Sequence, residues 1–209
     1  MARKRTMPPP FGLPGGVPPP SNLVARPTVV LNVCVLVPVA FADALLRIAE
    51  RGLYRPLWSA RIIAETIDAI KEVHPTIPPS RIQQRFADMD TAFEDACVEW
   101  LPSLEEAVTL PDPDDRHVVA AAVHRRADVI VTANLRDYPL DVLEPLNITV
   151  VHPDAFLLDQ LDLAPRIVLD VLRTQASQYR RPTLTPVDLI ALLARAGVSA
   201  FADEAGRQI

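Results

Sequence analysis

Side chains able to hold a hard cation recur at four places along the chain. Asn32 interrupts the apolar run Val29-Val-Leu-Asn-Val-Cys-Val-Leu-Val37, and Glu65 closes Ile62-Ile-Ala-Glu65. Asp112, Asp114 and Asp115 crowd into Asp112-Pro-Asp-Asp-Arg-His117, and Asn134 and Asp137 follow in Thr132-Ala-Asn-Leu-Arg-Asp-Tyr138. Oxygen donors drawn from separate segments suit Mg²⁺ or Mn²⁺, which favour carboxylates and retained waters over imidazole or thiolate. Most of these residues also have a plain local use. Asp114 or Asp115 can cap a helix and complement its dipole, Glu65 fits a solvated helix face, and Asn134 with Asp137 fits a turn. Asn32 lacks such a use, because an amide inside an apolar β-branched run is costly to bury without partners.

Other chemistries find little support. The chain has six glycines, three of them before residue 28, and neither phosphate-cradling glycine pattern occurs. Cys34 and Cys97 have no metal-ligand spacing and no disulfide framework, so reduced thiols in a cytoplasmic protein are expected. His117 and His124 stand close to the acids in sequence, yet a hard-oxygen site has no need of an imidazole.

The elements that position these groups follow from periodicity. Thr28 to Val37 reads as a strand buried on both faces and closed by Pro38. Phe41 to Arg51 reads as a helix ending at Gly52; Ser59 caps a second helix that carries Ile62, Thr66 and Ile70. Ser80 caps a third with Ile82, Phe86 and Met89 inward, and Val98 to Leu101 is a short strand candidate. Asp114 to Arg126 is a helix, Asp128 to Thr132 and Ile148 to Val151 are buried strands, and the chain past Pro153 is helical. There Thr185-Pro-Val-Asp188 matches a capping box with proline in the first turn. Strand and helix alternate, which predicts an α/β fold with a parallel sheet covered on both sides and ligands bound beyond the carboxyl ends of its strands.

Length and composition bound the rest. The 209 residues, 49% hydrophobic, suffice for one core plus extensions. Residues 1–27 hold eight prolines and three glycines and read as an extended tail. The basic start is followed by this tail and not by an apolar stretch, so secretion is not expected, and the chain has no run of about 18 apolar residues to span a membrane. The net charge is −5 without a long like-charged block. Contact with nucleic acid must therefore come from local cations, from a metal or from a partner chain.

Taken in order, the strand with Asn32, the helix with Glu65, the Asp112–His117 segment and Ile130-Val-Thr-Ala-Asn-Leu-Arg-Asp-Tyr-Pro139 resemble the PIN domain over residues 28 to about 157. One such piece is weak evidence; four in this order are specific. The resemblance implies a three-layer α/β/α fold around a central parallel sheet, with residues 158–209 as a C-terminal helical extension. Within that family the chain resembles the VapC-type toxins of toxin–antitoxin pairs, which are metal-dependent endoribonucleases. An RNA substrate, a Mg²⁺ or Mn²⁺ ion and a short antitoxin chain covering the acidic pocket are implied with it, and a homodimer is a further partner to consider. Carried over by position, the family's acids fall on Asn32, Glu65, Asp115 with Asp114 adjacent, and Asn134 or Asp137. The implied catalytic set is Asn32, Glu65, Asp114, Asp115 and Asp137, and the implied metal set is Asn32, Glu65, Asp115, Asn134 and Asp137.

Asn32 departs from the family pattern, which has Asp there. The amide keeps the shape and one acceptor oxygen but removes a full negative charge, so ion affinity is expected to fall. Two origins compete: a natural member with weakened activity, or an Asp→Asn change made to tolerate a toxic product, towards which the other surviving acids lean. Arg61, Arg81, Arg85, Arg116, Arg125, Arg126 and Arg136 flank the pocket and are candidates for steering phosphates. Tyr179-Arg180-Arg181-Pro182 and the amphipathic stretch Leu184 to Ala196 are candidates for touching RNA or a partner helix, or for packing on the protein's own core. The functional alternative is a non-catalytic PIN-like module that binds RNA or protein. A receiver-like or phosphatase-like protein is disfavoured, since no aspartate ends the first strand.

Overall fold

The computed structural model describes residues 26–99, 101–180 and 182–209. The tail reading for residues 1–27 therefore lies almost entirely outside the described residues. In chain order the elements are β1 (Thr28–Leu31), α1 (Val33–Leu36), α2 (Val39–Glu50), β2 (Arg55–Ser59), α3 (Ala60–Val73), α4 (Pro79–Ala92), β3 (Cys97–Val98), α5 (Pro102–Ala107), a 3₁₀ turn (Pro113–Asp115) and α6 (Arg116–Arg125). There follow β4 (Val129–Val131), a 3₁₀ turn (Leu135–Asp137), α7 (Leu140–Leu143), a 3₁₀ turn (Glu144–Leu146), β5 (Thr149–Val151), α8 (Pro153–Leu163), α9 (Pro165–Gln178), α10 (Pro186–Arg195) and α11 (Ser199–Gln208).

The five strands form one parallel sheet in the order β3-β2-β1-β4-β5, as the alternation of elements predicts. Val30 of β1 pairs with Leu57 on one side and Ile130 on the other, and all three side chains are buried. Strands β1, β2 and β3 step outward in one direction, and the chain then returns to the other flank of β1 for β4 and β5. The direction reverses between β1 and β4, so the crevice for a ligand opens where those two strands end.

Several boundaries differ from the sequence reading for identifiable reasons. The expected strand Thr28 to Val37 stops at Leu31, and α1 takes over. The Asn32 side chain accepts the Val33 N–H at 2.7 Å, an N-cap that ends the strand and starts the helix. Asn32 thus sits at the carboxyl end of the central strand and not in its middle. Strand β2 has no counterpart in the sequence reading, because Arg-Pro-Leu-Trp-Ser is short and Pro56 argues against a central strand. Tertiary pairing on both flanks overrides that argument. Strand β3 falls at Cys97–Val98, in register with the last residues of β2, where the reading had Val98 to Leu101. Helix α4 begins at Pro79 after Pro78, so Ser80 lies inside its first turn and caps nothing, while Ile82, Phe86 and Met89 are buried as expected. Ser59 does cap α3, its Oγ accepting the Ile62 N–H at 3.2 Å.

Helix α6 is buried from His117 to Ala122. The alanines at 120, 121 and 122 let its backbone lie close to the sheet, and Arg126 closes the helix in the left-handed region at φ 50°. This places the Asp112–Asp115 turn at the edge of the crevice.

The C-terminal helices share the core of the sheet domain. Val168, Val171, Leu172 and Ala176 of α9 and Phe201 and Ala205 of α11 belong to the same buried cluster as Val29, Val30 and Leu45. Polar ties fasten α9 to α2: Gln175 Nε2 donates to the Ala40 carbonyl at 2.8 Å, Arg47 to Gln178 Oε1 at 2.6 Å, and Arg51 pairs with Asp170 at 2.6 Å. The Asp154 carboxylate, on α8, accepts the N–H groups of Ala200 and Phe201 at the start of α11. The capping box at Thr185 and Asp188 is present, and Leu189, Ile190 and Leu193 of α10 face the protein's own core. Among the described residues no helix is long and apolar enough to cross a membrane.

A shared core predicts one cooperative unfolding transition in urea, followed by both far-UV circular dichroism and tryptophan fluorescence. Leu172→Ala, in α9, is expected to shift that single transition by about 2–5 kcal/mol. Two separated transitions would show instead that the helices fold on their own.

Candidate active site

Asn32 is the hinge of the site because its side chain uses every hydrogen-bonding group it has. It is only 6% exposed. Its oxygen caps α1, while Nδ2 donates to Thr132 Oγ1 at 3.2 Å and to Tyr138 Oη at 2.9 Å. Thr132 follows β4, and Tyr138 follows the Leu135–Asp137 turn, so one amide ties the ends of the two central strands together. The Tyr138 hydroxyl in turn donates to Asp115 Oδ1 at 2.7 Å. Thr132 Oγ1 also accepts the Asn134 N–H at 3.2 Å, and the Cys34 Sγ lies 3.5 Å from it.

A cavity of about 430 Å³ opens beside this chain of bonds, lined by Asn32, Cys34, Glu65, Asp115, Thr132 and Asn134 among others. The four separate segments singled out in sequence therefore meet at one crevice. The carboxylates divide into two groups. Asp112, Asp115 and Asp137 each offer an oxygen within 4.8 Å of the others. Asp112 is fixed by capping its own turn, accepting the Asp114 N–H at 2.9 Å. Asp137 is held by the Asn134 amide, whose oxygen accepts from Arg136 Nε at 3.1 Å. Three hard oxygen donors at this spacing fit a divalent cation of the Mg²⁺ or Mn²⁺ kind. Asp112 is the member that the residue-by-residue carry-over omitted, although its place in Asp-Pro-Asp-Asp was visible.

Glu65 lines the same cavity but is otherwise engaged. Its Oε1 pairs with Arg61 Nε at 3.0 Å and its Oε2 with His117 Nε2 at 3.2 Å. A carboxylate only accepts, so the proton between the last two sits on Nε2, and His117 Nδ1 is left as a buried lone pair without a partner among the described residues. Burial holds the His117 imidazole below its usual range, against the pull of Glu65. Asp114 stands apart from both groups, 93% exposed at its side chain, with Arg61 3.7 Å away as its ion-pair partner.

The cations flanking the pocket have different fates. Arg61 is engaged by Glu65 and Glu105, and Arg85 donates to the Leu36 carbonyl at 2.7 Å with burial lowering its pKa to about 10. Arg125 is turned to the Asp95 carbonyl. Arg136 remains presented to solvent, 86% exposed, next to Asn134 on the cavity wall. His124 is exposed on the last turn of α6. Arg180 forms a bridge with Thr183, while Arg181 lies outside the described residues.

A parallel α/β/α sheet with an acidic crevice at the β1/β4 switch defines a class, and comparison with known proteins places the chain in it. Residues 28–136 match the family model described as PIN domain, and the chain belongs to that family. Residues 153–207 match the model described as VapC50 C-terminal domain. The chain is 47% identical over 93 residues to the protein named "Putative ribonuclease VapC50" from Mycobacterium tuberculosis (strain ATCC 25618 / H37Rv). That match takes in 44% of this chain and 54% of the relative, so it spans about half of the relative's length. No solved structure matches the chain.

Burial raises the Asp115 carboxyl above its ordinary range; the Tyr138 hydrogen bond opposes this and the Asp112 charge adds to it. A raised folded-state pKa means that the ionised form is penalised at neutral pH, and that the penalty disappears once both folded and unfolded chains are protonated. Asp115→Asn is therefore expected to raise the urea midpoint of the metal-free protein at pH 7. The gain should shrink as pH falls through the folded-state pKa and vanish below the ordinary Asp value of about 3.9. Urea titrations of both proteins between neutral and acid pH read this directly, and a gain that persisted at low pH would contradict it.

Proposed function

We propose that this chain is a metal-dependent endoribonuclease of the toxin kind, with activity reduced by Asn32. The observation that carries this reading is the convergence of Asp112, Asp115 and Asp137 beside the cavity at the β1/β4 switch. The match to a protein named as a ribonuclease supports the choice of RNA.

Asp112, Asp115 and Asp137 would hold Mg²⁺ or Mn²⁺, and such an ion supplies Lewis-acid stabilisation of phosphodiester oxygens and acidifies water. The protein's own part is placement. Tyr138 holds the Asp115 carboxylate, Asn134 holds that of Asp137, and Arg136 offers an exposed guanidinium at the rim for a phosphate of the RNA backbone. Glu65 is held on the cavity wall by Arg61 and His117. Missing from this set is a carboxylate at position 32, where the amide contributes no charge. The partner that suits a toxin is a short antitoxin chain laid over the acidic pocket. Free Cys34 and Cys97 suit action in the cytoplasm.

Asn32→Asp is expected to raise Mn²⁺-dependent cleavage of single-stranded RNA by at least about tenfold. Adding Glu65→Gln or Asp115→Asn should remove about two orders of magnitude of it, the scale of losing one group aimed at developing charge. Chelation by EDTA should abolish what remains. A folded Asn32→Asp protein that cleaves no RNA with either ion would sink the enzymatic reading. It would favour instead a binding module, for which the saturated hydrogen bonding of Asn32 already offers an argument.

A further inference from the structure

Helix α1 is a single turn, and one turn has no stability of its own in water, so it must be held from outside. Asn32 holds its first end by accepting the Val33 N–H. Leu36 is its last residue, and Pro38, lacking an N–H, breaks the helical ladder just beyond. The Leu36 carbonyl is met instead from another part of the fold: Arg85 of α4 donates to it through Nη2 at 2.7 Å. Nη1 of the same guanidinium is buried and meets no acceptor among the described residues, so the directional bonding of Arg85 goes to Leu36.

This bond bears on the site through what the corner at α1 carries. Asn32, Val33, Cys34, Val37 and Pro38 supply half of the cavity's lining, whereas Arg85 itself is not part of it. Val35 and Leu36 are buried and anchor α1 by packing, but apolar contact is non-directional. The bonds at the two ends are directional, and at 1.5 Å per residue those ends lie only about 6 Å apart. Fixing the last carbonyl therefore fixes how the whole turn, with Asn32 at its head, is rotated against the crevice.

The Arg85 guanidinium is held in turn by a cluster of polar groups. Burial lowers its pKa to about 10, and the charge of Asp43, on α2, opposes that loss. Burial likewise raises the Asp43 carboxyl, against the pull of Arg47 and then of Arg85. Two desolvated charges of opposite sign thus support one another. From α9, Gln178 Oε1 accepts from Arg47, which lies 3.0 Å from Asp43, and Gln175 donates to the Ala40 carbonyl at 2.8 Å. Helices α2, α4 and α9 therefore meet around the guanidinium that grips α1.

We propose that Arg85 is a positioning residue for the crevice: from outside the cavity it fixes the wall on α1 through the Leu36 carbonyl, and with Asp43 it makes that wall depend on how α4 and the C-terminal helix α9 are seated. The wall has to be held whatever the crevice binds, so failure of the ribonuclease reading leaves this role untouched. An arginine that merely stabilised the fold would, when removed, loosen every element together. A positioning arginine loosens α1 first, because the single turn has no other directional tie at its far end.

Hydrogen–deuterium exchange of the full chain, read by mass spectrometry on peptides spanning 32–37 and 199–208, separates the two. Arg85→Met is expected to speed exchange in 32–37 by about tenfold or more, the scale of one hydrogen bond from a charged donor, and in 199–208 by less than about threefold. Arg85→Lys, which keeps the charge and N–H donors, should return 32–37 to within about threefold of the wild type. Asp43→Asn should speed exchange in 32–37 by about threefold or more in the wild type and add nothing measurable in the Arg85→Met background, because it acts through the guanidinium. Unchanged exchange at 32–37, equal acceleration in both segments, no recovery with lysine, or the same Asp43→Asn effect in both backgrounds would overturn the proposal. Should thermal unfolding show that Arg85→Met does not fold, Arg85→Gln replaces it and is held to the same outcomes.

Discussion

An amide buried at the end of a central strand must satisfy three hydrogen-bonding groups at once, and in this protein that requirement organises the site. The oxygen of Asn32 turns the chain from β1 into α1, and its two N–H hydrogens reach Thr132 beyond β4 and Tyr138 beyond the following turn. Inside a low-dielectric interior an unmet donor costs on the order of 1–3 kcal/mol. The ends of β1 and β4 are therefore held in one relative position, and the Asp115 carboxylate, reached through Tyr138, inherits it. The crevice that parallel sheets leave at a switch of strand order becomes a defined cavity instead of a loose cleft.

Around that anchor the charges are sorted by how they are held. Asp112 and Asp137 are fixed by short local bonds within their own turns, one to a backbone N–H and one to a neighbouring amide. Asp115 is fixed from across the sheet. Glu65 is fixed by a cation on its own helix, Arg61, and by the buried imidazole of His117 on α6. Three carboxylates close together repel one another, and burial adds to the penalty at Asp115. The fold tolerates this local cost because the sheet and α6 beneath it are packed without polar gaps from Val118 to Ala122. Stability lost in this way at a pocket, and made good elsewhere, is the usual mark of a site kept for binding or chemistry.

The helices after β5 complete the same object. Their apolar faces merge with the core of the sheet, and the polar ties from α9 run to α2, the helix that directly follows the site-bearing β1–α1 corner. Asp154 extends the logic by capping α11 from α8, which orients the last helix without any contact to the crevice. The C-terminal part therefore stiffens the scaffold on which the crevice is mounted, while the crevice itself is built from residues before position 139.

The sequence by itself determined the class of fold and the identity of the site segments. Alternation of β-branched runs with 3.6-period apolar stripes left a covered parallel sheet as the consistent answer, and Asn32, Glu65, the Asp112–Asp115 cluster and Asn134 with Asp137 stood out as oxygen donors on four separate segments, while the place of Asn32 at the end of β1 was decided by the structure. Local chemistry was legible wherever a residue acts on its neighbours, as with Ser59 over α3 and Thr185 with Asp188 over α10. What only the tertiary structure decided depends on partners distant in the chain. Strand β2 exists because β1 and β3 pair with it on both sides, against the preference of Pro56. Asp112 joins Asp115 and Asp137 while Asp114 turns out to solvent, a choice made by the direction of successive side chains in one tight turn. The role of Tyr138 is the clearest case. Nothing in Asp-Tyr-Pro marks its hydroxyl as the link between Asn32 and Asp115, because hydrogen bonds between residues 106 and 23 positions apart are set by packing in three dimensions, which local patterns do not encode.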